Sequence, residues 1–219
     1  KLTKDFLSPK FLYLRNIFFQ SMPISVSICG YALASAIIFT YVGQSGEYAV
    51  AGYGVGTRIE QVVLLPILGI NTAIISIIAQ NYGANNVNRI KETYFTAIKY
   101  AFIIMITAGT LVFLSANIIT SFFSSDPEVI EYGKRYLRIS AFVLPAYPVF
   151  FLSNGFFMAL KKSENAMISN LFRNVLNPIV VFYIAKYFNA SFDTFFWTWV
   201  GINWFFSISY FFIIIYYFK

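Results

Sequence analysis

The sequence predicts an all-α integral membrane protein built on six transmembrane helices, and three observations carry that prediction. First, 58% of the 219 residues are hydrophobic and only 11% charged, against roughly 45–50% and 25% in soluble domains. Second, six apolar stretches long enough for a hydrocarbon core of about 30 Å alternate with short polar ones. Third, Lys and Arg gather at the ends of those stretches and not on a soluble element, which is a topology signal.

Composition also excludes whole classes of function. The net charge of +7 is dispersed over segment ends, so the expected surroundings are a lipid bilayer and no nucleic-acid partner is expected. There is no His and a single Cys, Cys29. The usual ligands of zinc and haem and the usual acid–base residue are therefore missing. Cys29 sits in an apolar run and reads as an inert small hydrophobe. No GxxxxGK loop, nucleophile elbow or HExxH helix occurs. Neither an enzyme, a cofactor site nor an ATP-driven pump is expected. The 21% aromatic content reads as compositional bias.

Residues 1–20 are mixed and basic and read as a cytoplasmic linker, with Ser8-Pro9 starting a short interfacial helix. The chain opens on Lys1 and is expected to be a piece of a longer protein, with the six-helix membrane unit over 21–219. The first span, about 23–43, is rich in small residues such as Ser25, Gly30 and Ala34. Small residues let membrane helices approach closely, so this span is expected to be central. A short turn over 44–50 leads to the second.

The second span, about 53–80, organises the rest. As a helix it would run about 42 Å, so it must tilt or bend, and Pro66 followed by Gly69 is the expected hinge. Tyr53, Thr57, Glu60, Gln61, Asn71 and Thr72 share one helical face, and Gly52, Gly56, Val63, Pro66 and Ile70 lie on the other. A charge at mid-helix costs about 2.5–3.5 kcal/mol, while each Leu, Ile or Val returns about 0.3–0.6 kcal/mol. With Arg58 and Glu60 both present, the polar stripe must face protein or a water-filled cavity. These two residues lie on nearly opposite faces and cannot pair, so each needs a partner elsewhere.

A polar loop over 81–91 and a third span over 93–123 follow. Ser124-Ser125-Asp126-Pro127-Glu128 is a helix-start signal. It opens an interfacial amphipathic segment that feeds a fourth span, about 139–160, broken by Pro145 and Pro148. That span places Tyr147 and Asn154 on one face. The fifth, about 166–187, carries a polar stripe of Asn170, Arg173, Asn174 and Asn177 before Pro178. The sixth, about 192–218, has Trp197, Trp199 and Trp204 toward its start and Tyr216 and Tyr217 at its end, as interface anchors.

Six spans put both termini on one side. That side holds eleven Lys and Arg (Lys1, Lys4, Lys10, Arg15, Arg89, Lys91, Lys99, Lys161, Lys162, Arg173, Lys219) and the other four (Lys134, Arg135, Arg138, Lys186). The positive-inside rule then predicts a multi-pass plasma (inner) membrane protein with cytoplasmic termini.

Two stretches resemble a known family. GYGVGTRIEQ at 52–61, with LLPILGINTA at 64–73 and QNYGANNVNRIKE at 80–92, is similar to the signature of the second half of multidrug and toxic compound extrusion (MATE) transporters. P-x-x-P-x-x-F-x-x-x-GFF-x-AL from Pro145 to Leu160, then SNLFRNVLNP from Ser169 to Pro178, resembles the same family's later helices. The resemblance implies the C-terminal lobe of a twelve-helix, two-lobe transporter, partnered by an N-terminal six-helix lobe. Such a transporter exports small organic, often cationic, compounds in exchange for H+ or Na+. Some members carry intramembrane acids on the first and fourth helices of this lobe. Here those helices offer Cys29, Gly30 and Tyr31, and Tyr147, Ser153 and Asn154, with no carboxylate.

The candidate site residues follow. Tyr147, Asn154, Tyr53 and Gln61 are the cavity candidates, since an aromatic face holds an organic cation at about 0.5–2 kcal/mol. Glu60 is either an ion-coupling site or a structural anchor bonded to a neighbouring helix, for instance to Arg173 or an Asn amide, with the anchor favoured. Arg58, Arg173 and Pro66 are read as structural or gating residues. The alternatives are a lipid-linked saccharide flippase of related fold, which would want several cavity cations, and a non-transporting membrane scaffold.

Overall fold

The computed structural model describes residues 11–218. Among these residues the chain forms nine α-helices and no strand: α1 (Phe11–Gly43), α2 (Glu47–Val63), α3 (Leu65–Gly83), α4 (Val87–Ser121), α5 (Pro127–Ser140), α6 (Tyr147–Ala159), α7 (Ser163–Leu171), α8 (Asn177–Tyr187) and α9 (Phe192–Tyr217). Several pairs are halves of one span. Five segments are long and apolar enough to cross a bilayer, namely Glu47–Gly83, Val87–Ser121, Pro127–Ala159, Ser163–Tyr187 and Phe192–Tyr217. The apolar part of α1, Cys29–Gly43, supplies the sixth expected segment. The Ser8-Pro9 start signal lies outside the described residues, and α1 runs unbroken from Phe11 through position 20, where a linker was expected to end.

The Asp126-Pro127 start signal acts as expected, and two further caps emerge in the structure. The Asp126 side chain accepts from the Glu128 N–H at 2.9 Å, with Pro127 in the first turn of α5. Asn86 caps α4 by accepting from the Arg89 N–H at 3.1 Å, and Ser191 caps α9 through Thr194. The polar loop expected over 81–91 shrinks to Ala84–Asn86, because that cap lets α4 begin at Val87. The turn before α2 is equally short, closed by Gly46 at φ 102°.

Prolines set the breaks. The second span is interrupted at Leu64, just before Pro66, and Gly69 lies inside regular helix. Pro66 has no N–H to reach back one turn, so the bend falls slightly earlier than the expected Pro66–Gly69 hinge. Pro145 and Pro148 likewise separate α5 from α6 by turns and a short 3-10 stretch at Leu144–Ala146. In the fifth span a wider π turn at Phe172–Leu176 precedes Pro178.

The centre of the bundle differs from expectation. The α5–α6 span is the buried one, with 72% of its apolar window inside the protein. It was expected to begin as an interfacial segment, yet Gly133, Tyr136, Leu137 and Ile139 are core residues. By contrast α1 buries Gly30, Ala34, Ile38, Tyr41 and Val42 and leaves Tyr31 and Leu33 exposed. Its small residues serve one seam, where a Cβ on Gly30 would meet Val175 at 3.0 Å.

Glycines explain how α5 enters the core. A Cβ on Gly52 of α2 would lie 2.7 Å from the Gly133 nitrogen and the Val129 oxygen of α5. One on Gly133 would lie 2.9 Å from Thr120 of α4. Backbone contact of this kind tolerates no side chain. We expect Gly52→Ala to lower the melting temperature of the detergent-solubilised protein, at the overpacking cost of about 1–3 kcal/mol. Gly54→Ala, where nothing lies within 4 Å, should leave it unchanged. Equal melting curves for the two variants would contradict this packing.

Candidate functional site

Glu60 sits where α2, α5 and α6 meet. The Tyr147 hydroxyl donates to its Oε1 at 2.6 Å, and the Tyr136 hydroxyl donates to its Oε2. Both tyrosines are nearly inaccessible, at 7% and 6% exposure for Tyr136 and Tyr147. The approach depends on Gly56, one turn before Glu60: a Cβ there would overlap the Tyr136 ring. Hydrogen bonds to a charged group contribute about 1.5–3 kcal/mol each, so two of them offset much of the cost of placing a carboxylate in a span. Glu60 is thus hydrogen-bonded to two tyrosines, and not to Arg173 or an Asn amide. Arg58 is exposed on another face of α2, and neither arginine forms an ion pair with a carboxylate among the described residues.

Aromatic rings close the floor of the site. Tyr53 meets Tyr136 edge-on at 4.9 Å and stacks on Phe196 at 5.4 Å, while Tyr136 meets Phe196 at 4.9 Å. Arg173, in the π turn, donates from Nε to Asn203 Oδ1 of α9 at 3.0 Å. Its guanidinium lies 4.7 Å from the Tyr147 ring centroid and 4.2 Å from that of Phe150. Cation–π contacts of about 0.5–2 kcal/mol therefore stand in for the carboxylate expected there.

Two adjoining cavities open beside this cluster. The smaller, about 120 Å³, is lined by Tyr53, Thr57, Glu60, Gln61, Tyr147 and Arg173, among others. The larger, about 540 Å³, shares Gln61, Phe151, Arg173 and Asn174 and adds Phe150 and Asn170. Of the cavity candidates, Tyr53, Gln61 and Tyr147 line this space. Asn154 does not: it is 7% exposed, accepts from the Tyr210 hydroxyl of α9 at 3.3 Å and belongs to the core, because that part of α6 packs on α9. Pro66 acts only through the break in the second span. The fifth-span stripe also divides. Asn170, Arg173 and Asn174 face the larger cavity, whereas Asn177, beyond the π turn, is fully buried with both amide atoms unpartnered.

A family model described as MatE matches residues 23–184, most of the chain. The chain belongs to the MatE family. Among curated relatives it is 25% identical to the FAD transporter of Shewanella oneidensis over 72% of this chain and 35% of that protein. It is 23% identical to the multidrug export protein MepA of Staphylococcus haemolyticus over 81% of this chain and 39% of that protein. The probable multidrug resistance protein NorM of Thermotoga maritima matches at 23% over 84% of this chain and 37% of that one. Among solved structures, a MOP superfamily transporter from Pyrococcus furiosus, described as having a binding pocket of reverse polarity, superposes with a TM-score of 0.88 at 24% identity. It covers 97% of this chain and 48% of that one. An outward-facing MATE transporter gives 0.86 at 25% identity, over 100% and 50% of the two chains. The chain thus spans a little over a third of the curated relatives it matches and about half of these solved chains.

MatE members are transporters and not enzymes, and the fold is that of a membrane lobe of this family. Tyr147, Ser153 and Asn154 of the fourth span are neutral: Tyr147 bonds Glu60, whereas Ser153 bonds Tyr94 at 2.7 Å and Asn154 bonds Tyr210, away from Glu60. Tyr136 is the site residue that sequence reasoning missed. It falls in a segment whose charges read as surface, and the available signal was the Gly52–Gly56 spacing on the helix face opposite the polar stripe.

Proposed function

We propose that this chain is the C-terminal six-helix lobe of an ion-coupled exporter of organic compounds, completed by an N-terminal six-helix lobe of the same transporter. The observation that carries this reading is the pair of adjoining cavities lined by the polar face of α2 and the fifth-span stripe, in a chain matching about half of solved MATE structures. The cargoes for which these relatives are named, drugs and FAD, are organic and support the cargo class. The coupling ion is H+ or Na+. A saccharide flippase is less well supported, because Arg58 turns away and Arg173 is the one Lys or Arg lining either cavity. The full-length transporter in proteoliposomes should move an organic fluorophore against its gradient when a proton or sodium gradient is imposed. Failure with both gradients across a panel of cationic, neutral and anionic fluorophores would overturn the reading.

The proposal includes a plasma-membrane location with cytoplasmic termini. Two contacts support the pairing of ends. Arg135 bonds Asp193 through two hydrogen bonds, of 2.9 and 2.7 Å, at the end expected outside. Lys162 bonds the Tyr217 hydroxyl at 3.0 Å at the end expected inside. In a Cys29→Ala background, since Cys29 is exposed, a cysteine replacing Asn88 should resist an impermeant thiol reagent in intact cells. One replacing Glu128 should react. The reverse pattern would overturn the topology.

A further inference from the structure

We infer that the larger cavity accepts an organic anion with an apolar body, its acidic group held by Arg173. As a statement about transported cargo this rests on the exporter reading; as a statement about binding it does not. Among the described residues Arg173 is the one charged side chain in the lining of this cavity. Its Nε–H is committed to Asn203, and rings of Tyr147 and Phe150 flank the guanidinium. These contacts fix its orientation without neutralising it, since it forms no ion pair among the described residues. A guanidinium held in this way offers its Nη groups to a phosphate or carboxylate in the fork geometry both groups fit.

The surroundings favour the same class. Gln61, Asn170 and Asn174 bring amides beside the guanidinium, and Leu64, Leu65 and Met167 supply an apolar wall. An organic cation would meet the opposite of what it needs. The nearby acid, Glu60, lines the smaller cavity, and each of its oxygens already accepts a tyrosine hydroxyl. In the larger cavity a positive ligand would therefore face the Arg173 guanidinium with no carboxylate in the lining among the described residues.

The test uses the full-length transporter carrying this lobe, purified in detergent and titrated with riboflavin and with FMN while flavin fluorescence is read. The two share a ring system and differ by one phosphate. FMN is expected to bind about tenfold tighter or more at low salt, the scale of one charge-assisted hydrogen bond. Arg173→Gln should abolish the difference, so that FMN and riboflavin bind that variant alike, and retained riboflavin binding reports an intact cavity. Arg173→Lys should retain part of the preference. Equal affinities, absence of binding by either flavin, or a phosphate preference that survives Arg173→Gln would overturn the inference. An FMN preference without gradient-driven flux would overturn the exporter reading and leave the subsite. Gradient-driven flux of tetraphenylphosphonium without an FMN preference would do the reverse.

Discussion

Glu60→Ala is expected to destabilise the protein by roughly 2–6 kcal/mol, because it orphans two buried tyrosine hydroxyls at about 1–3 kcal/mol each. The donors concerned, Tyr136 and Tyr147, both point at Glu60 and have almost no access to water. A marked loss of folded yield and melting temperature in detergent is the expected reading. Glu60→Gln should be milder, since the amide keeps the shape, accepts one hydroxyl and donates to the other. Combining Glu60→Leu with Tyr136→Phe and Tyr147→Phe should recover part of the loss, because groups that share one network are not additive. Full additivity would show that the three do not act together. A Glu60→Gln protein that folds and melts like the parent but no longer exchanges ions would assign Glu60 to coupling and not to anchoring.

On the proposed half-transporter reading, this chain expressed by itself is expected to confer no efflux, and co-expression with an N-terminal six-helix lobe should restore it. The physical reason is exposed polarity within a span. Arg58 is exposed on α2 with no partner among the described residues, and Gln61 is exposed at the edge of both cavities. A lone arginine near the middle of a span costs about 2.5–3.5 kcal/mol on insertion scales. A second lobe covering that face would remove the penalty and close the cavities. Drug resistance conferred by this chain alone, in a strain lacking its own exporters, would argue instead that two copies pair.

The legible part of the site was the helix face. Tyr53, Thr57, Glu60 and Gln61 fall at helical spacing in the sequence, and the same four line the smaller cavity. The Asp126-Pro127 start of α5 was legible for the same reason, since a cap is satisfied within a few residues of itself. Partners across helices were not. Nothing in a segment reading DPEVIEYGKRYLRI distinguishes Tyr136, buried against α2, from Tyr132 one turn earlier, which is only partly covered. The stripe from Asn170 to Asn177 was read as one face, but the π turn before Pro178 changes the register within it.

By itself the sequence determined the all-α membrane class, the order of the apolar segments, the Asp126-Pro127 helix start and the family. Each depends on composition, period or local capping, which act over one or two turns. Only the tertiary structure decided that α5–α6 and not α1 is central, that Glu60 is held by tyrosines and not by arginine, and that Asn154 is core while Arg173 lines both cavities. Those outcomes depend on which backbones can touch. Gly52, Gly56 and Gly133 permit that contact at a few places, and the proline breaks set which face arrives there.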